Sequence, residues 1–102
     1  MKIKRSMVLV SSDPHSIEKG SEEIYSRLVD EVKAFDLSDE ISISKVSDID
    51  RVDASPLVIV YPEAVVYGPL SPDDVHFLVE EHLYKGRIAH ELQASSKDWS
   101  PR

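Results

Sequence analysis

The segment Leu57-Val58-Ile59-Val60-Tyr61, followed by Pro62-Glu63 and then Ala64-Val65-Val66-Tyr67, constrains the fold more than any other part of the chain. Two β-prone runs separated by a turn dipeptide read as a β-hairpin. Gly68-Pro69 ends it, since neither residue extends a ladder well. The C-terminal half must therefore hold an antiparallel pair and find cover for its apolar side chains.

Upstream, Met7 to Val10 is a short continuous apolar run, the pattern of a strand buried on both faces. Ser11-Ser12-Asp13-Pro14-His15-Ser16 reads as loop, because Asp, Pro and Ser favour turns. From about Ser21 to Phe35 the period changes to 3.6. Ile24, Leu28, Val32 and Phe35 form one stripe, widened by Tyr25 and Val29, and Ser21 is the expected N-cap. Ile41 to Val46 alternates as a half-buried strand does, with Val46 out of phase. Ser47 to Pro56 is polar and reads as loop.

A second helix opens at Ser71, with Pro72 at its first position and Asp73 and Asp74 in its first turn. Val75, Leu78, Val79, His82 and Leu83 make its apolar stripe, and Gly86 is the expected C-cap. His82 reads as a core histidine with a satisfied ring. Residues 1–92 thus form one domain, and 93–102 read as a flexible C-terminal tail. The order is β-α-β, then a hairpin, then α. A strand–helix–strand crossover gives a parallel pair by the right-handed rule, and the helices must cover the sheet. The expected class is α/β: a thioredoxin-like, four-stranded mixed sheet with two main helices.

Composition excludes several function classes. The chain has 102 residues and no cysteine, so it has no disulfide scaffold, thiolate metal site or cysteine nucleophile. Twelve Lys and Arg against 19 Asp and Glu give a net charge of −7, which repels nucleic-acid phosphates. No apolar run approaches the roughly 18–20 residues that span a bilayer. Met7–Val10 is also too short for a secretory signal, so a cytoplasmic location is expected. With only Gly20, Gly68 and Gly86 there is no phosphate loop, and no serine lies in G-x-S-x-G. Enzymatic activity is not expected.

The stretch from Pro56 through Val-Tyr-Pro-Glu-Ala-Val-Val-Tyr-Gly to Val75, running on into Leu78-Val-Glu-Glu-His-Leu-Tyr-Lys-Gly-Arg87, resembles the C-terminal half of the thioredoxin-like [2Fe-2S] ferredoxins. Related domains occur in NADH:quinone oxidoreductase and hydrogenase subunits. Val10, its polar loop and Gly20-Ser-Glu-Glu-Ile-Tyr25 are similar to the family's first strand, ligand loop and helix. The resemblance implies four cluster-ligand positions in two pairs, at Ser11 and Ser16 and at about Asp48 and Val52. None is a cysteine here.

Two readings follow. In the first, the chain is a cluster-less homologue of these ferredoxins, with no cofactor. It serves as a non-catalytic interaction or accessory module linked to a redox or electron-transfer complex, binding a protein partner or itself as a homodimer. Val58, Val60, Val65 and Tyr67 are then the candidate dimer or partner surface, in a region similar to one the family uses for self-association. The alternative is an electron-transfer or metal-binding protein with non-cysteine ligands. Asp13, His15, Asp48, Asp50 and Asp53 fall on the two former cluster loops and could hold a divalent cation.

Overall fold

In the computed structural model, which describes residues 4–47 and 55–94, the chain runs β1 (Ser6–Ser11), α1 (Pro14–Glu18), α2 (Ser21–Ala34), β2 (Ile41–Val46), β3 (Val58–Tyr61) and β4 (Val65–Tyr67). A C-terminal helix follows in three continuous pieces: a 3-10 turn Pro72–Asp74, an α turn α3 (Val75–Leu78) and a π segment Val79–Tyr84. A last 3-10 turn spans His90–Leu92. The strands form one sheet in the order β2-β1-β3-β4. β1 is parallel to β2 and antiparallel to β3, and β3 is antiparallel to β4. This is the mixed, four-stranded, thioredoxin-like sheet expected for the chain, of which the pattern alone supported only the α/β class.

The apolar stripes account for the layering. Ile24, Leu28 and Val32 of α2 share one core with Val75, Leu78, Val79 and Leu83 of the C-terminal helix. Beneath them lie Val8, Val10, Val58, Val60, Val65 and Tyr67 of the strands. Both helices therefore cover the same sheet face. No helix among the described residues is long and apolar enough to cross a membrane.

Local chemistry departs from expectation at three points. The stretch read as loop after β1 contains α1. Asp13, with extended backbone, caps it and Pro14 starts it, so the turn-forming residues serve as a helix start. Ser21 is not the cap of α2. Gly20 holds that place at φ 104°, a conformation that favours glycine, and lets α1 turn into α2 across two residues. The buried Ser21 hydroxyl has no hydrogen-bond partner among the described residues. Third, packing continues past Leu92: Gln93 bridges Tyr67 and Ala94 is buried against Leu57.

The second helix starts and stops as its sequence dictates. The Asp74 carboxylate accepts the Ser71 N–H at 2.9 Å, closing a capping box. At the other end Gly86 takes φ 75°, and Arg87 N–H reaches the Glu81 carbonyl at 2.8 Å.

Candidate functional site

Of the four positions that the resemblance implies as cluster ligands, the structure describes two, Ser11 at the end of β1 and Ser16 in α1. Ser11 is wholly buried. Its N–H donates to the Leu57 carbonyl at 3.0 Å, and its hydroxyl oxygen accepts the Leu57 N–H at 2.9 Å. Ser11 thus ties β1 to the residue that leads into β3, extending the ladder by one side-chain bond.

Ser16, also wholly buried, donates its hydroxyl to Asp13 Oδ1 at 2.6 Å and its N–H to Oδ2 at 3.3 Å. The Ser16 hydroxyl holds the Asp13 carboxyl below the usual carboxylate range, against the opposing effect of burial. A depressed folded-state value means that Asp13 contributes stability above its unfolded value of about 3.9 and loses it as pH falls through the folded value. Asp13→Ala removes the cap and orphans a buried hydroxyl, an expected loss of about 2 kcal/mol near neutral pH in urea unfolding. Asp13→Asn retains an acceptor but not the titration, so its stability should fall less steeply below about pH 4 than that of the native chain. An unchanged acid limb would contradict this assignment.

Of the proposed cation ligands, Asp13 is consumed as a helix cap and His15 is exposed beside it. Asp48, Asp50 and Asp53, and the ligand position Val52, lie outside the described residues. Among the described residues no group of three His, Asp or Glu side chains is placed to hold a metal ion.

The hairpin side chains chosen for a partner surface point the other way. Val58, Val60 and Tyr67 are wholly buried and Val65 nearly so, all in the core under the helices. The strand phase explains the reversal. β3 and β4 put Val58, Val60, Val65 and Tyr67 on the helix-covered face, and Ile59, Tyr61 and Val66 on the opposite one.

One polar assembly inside the core was visible in sequence only as an isolated histidine. The Tyr67 hydroxyl accepts the Ala89 N–H at 3.1 Å and lies 2.6 Å from His82 Nδ1. The Tyr67 oxygen and Nδ1 share one hydrogen bond. Nε2 faces Glu63 Oε1 at 3.5 Å. Burial pushes the Tyr67 hydroxyl up, keeping it protonated. Hairpin turn, β4, C-terminal helix and the following segment meet at this one cluster. The sequence signal was partial: a histidine on an apolar stripe needs a polar partner, but nothing in the spacing singles out Tyr67.

A [2Fe-2S] cluster needs soft donors, held in the binuclear case by four thiolates. This chain has no cysteine. Ser11 and Ser16 have hard oxygens already engaged in buried bonds, and valine has no donor atom. The residues present do not fit the cluster.

No protein-family model matches the chain. A 2Fe-2S ferredoxin from Clostridium pasteurianum is 36% identical over 75 residues, which cover 74% of this chain and 74% of the relative. A 2Fe-2S ferredoxin from Aquifex aeolicus (strain VF5) is 29% identical over 79 residues, 76% of this chain and 71% of that protein. The 1.5 Å crystal structure of the wild-type thioredoxin-like [2Fe-2S] ferredoxin from Aquifex aeolicus superposes with a TM-score of 0.83 at 25% identity. The superposition spans 91% of this chain and 99% of that one. On that identity and coverage, and with the fold superposing over nearly its whole length, this chain belongs to the thioredoxin-like [2Fe-2S] ferredoxin family and carries its fold without any cysteine.

Proposed function

We propose that this protein is a cluster-less ferredoxin homologue working as a non-enzymatic, cytoplasmic interaction module, an accessory to a redox or electron-transfer complex. The observation that carries the reading is the use made of Ser11 and Ser16. Their hydroxyls bind the Leu57 N–H and the Asp13 carboxylate inside the fold, so the ligand loop has become part of the scaffold. With the donor atoms gone, what the fold retains is its surface.

The test is a visible spectrum and iron analysis of protein purified without oxygen. The expected outcome is no charge-transfer absorption and no stoichiometric iron or other metal. A coloured protein with about two irons per chain would overturn the reading in favour of electron transfer through non-cysteine ligands.

A further inference from the structure

On the β2 side the sheet ends without a neighbouring strand among the described residues. Backbone phase shows which groups it leaves open. The Glu40 carbonyl accepts the Arg5 N–H at 2.8 Å, and the Val46 carbonyl accepts the Ser12 N–H at 2.7 Å. The even positions of this stretch therefore turn towards β1. Along a strand the N–H and C=O of one residue leave on the same side, and the side alternates. Ile41, Ile43 and Lys45 thus turn outward. The Ile41 N–H is taken by the Leu37 carbonyl at 3.1 Å. The amides of Ile43 and Lys45, and the carbonyls of all three, have no partner among the described residues.

The side chains of the same three residues lie on the helix side. Ile41 is in the core, Ile43 packs against it, and Lys45 Nζ sits 4.7 Å over the Tyr25 ring and 2.8 Å from Glu22 of α2. Between α2 and β2 lies a groove of about 200 Å³, lined by Tyr25, Val29, Val32, Ser38, Ile41 and Ile43. Val29 is 40% exposed there. The groove is smaller than the roughly 300–1,000 Å³ clefts that enclose small ligands, and four of its six lining side chains are aliphatic. An open ladder beside an apolar groove suits an extended peptide, whose backbone pairs with the strand while alternate side chains enter the groove.

We propose that β2 takes an extended segment of a partner protein as a fifth strand, with a branched aliphatic side chain seated between α2 and β2. The inference rests on the interaction-module reading and gives it a surface and a partner chemistry.

Charge narrows the occupant. α2 carries Glu22, Glu23, Asp30 and Glu31 against Arg27 and Lys33, in a chain of net charge −7. An acidic segment is repelled, and a second copy would lay another such helix alongside the first. A neutral, β-branched segment with basic flanks meets neither penalty.

The probe is a short blocked peptide of alternating valine and threonine with a lysine at each end, titrated into the full chain and followed by NMR and hydrogen exchange. Binding should saturate with a Kd below about 1 mM. At saturation the Ile43 and Lys45 amides should exchange about tenfold more slowly, while those of Ser42 and Ser44, already turned to β1, should not change. N-methylation of alternate peptide residues should abolish binding in one phase and spare it in the other, because only one side of the peptide pairs. Val29→Glu and Val29→Lys should each weaken binding about tenfold with unchanged circular dichroism. Opposite charges with one outcome assign the loss to the groove rather than to electrostatics.

No binding at millimolar peptide, equal slowing at all four amides, or binding by both methylated peptides overturns the proposal. So does slow exchange at Ile43 and Lys45 without peptide. If it is independent of protein concentration, the chain's own residues cover the strand; if it grows with concentration, a second copy does. Each of these results leaves the cluster-less reading standing, because colour and iron content decide that separately.

Discussion

Tyr67→Phe should destabilise the fold by about 2–4 kcal/mol, read as a lower urea midpoint at an unchanged m-value. The substitution removes one oxygen and strands two buried partners. Ala89 N–H loses its acceptor and His82 Nδ1 loses its hydrogen-bond partner. Each stranded group costs about 1–3 kcal/mol because water does not replace the lost contact. Ring packing is untouched, so cavity formation contributes nothing to the change. Against a total of about 5–15 kcal/mol for a domain of this kind, the loss is severe. Tyr67→Phe with His82→Leu should recover the histidine's share but not that of Ala89, placing the double variant between the native chain and the single one. A single-variant loss below about 1 kcal/mol would mean the hydroxyl is not the hub described here.

The second large effect concerns the two serines. Replacing both Ser11 and Ser16 with cysteine is expected to lower stability by about 2–4 kcal/mol. A thiol accepts and donates hydrogen bonds weakly. Leu57 N–H then loses a good acceptor, and the Asp13 carboxylate loses a charge-assisted bond. Ser11 bonds Leu57 and Ser16 bonds Asp13, with no hydrogen-bond partner in common among the described residues, so the two losses should add. Ser16→Cys and Asp13→Ala remove the same bond, so those two should not. Thermal unfolding of the singles and the double decides the point. Cysteines tolerated without loss would mean that the loop still keeps its ligand geometry in reserve and that the hydroxyls hold nothing together.

The hairpin and the two main helices were legible because each rests on local chemistry; the order of the strands is set by long-range pairing that periodicity does not report. Val75, Leu78, Val79, His82 and Leu83 announce their helix by spacing alone, and all five are buried. Asp13-Pro14 was ambiguous, since the residues that make turns also start helices; the bond from Ser16 back to Asp13 decides between them. Gly20 displaced Ser21 as cap because the junction between α1 and α2 needs a positive φ, a demand set by tertiary geometry. The inward phase of Val58 and Val60 could not be read from a strand whose residues are apolar on both sides. Leu57 to Tyr61 shows no alternation, and alternation is what tells one face from the other. The Tyr67–His82 cluster joins residues 15 apart in sequence, and no local pattern reports such a pairing.

The two borders of the sheet are not equivalent. Along β4 the outer backbone is taken: Gln93 bridges Tyr67, Ala94 N–H reaches the Val66 carbonyl and Gly68 N–H reaches that of Leu92. Along β2 no described strand follows, and among its described residues Lys45 is the charged side chain, of the kind that blunts a sheet edge. Backbone templating from this molecule is therefore one-sided. Two copies joined border to border would exhaust it, and the endless stacking that builds fibrils has no second border to grow from.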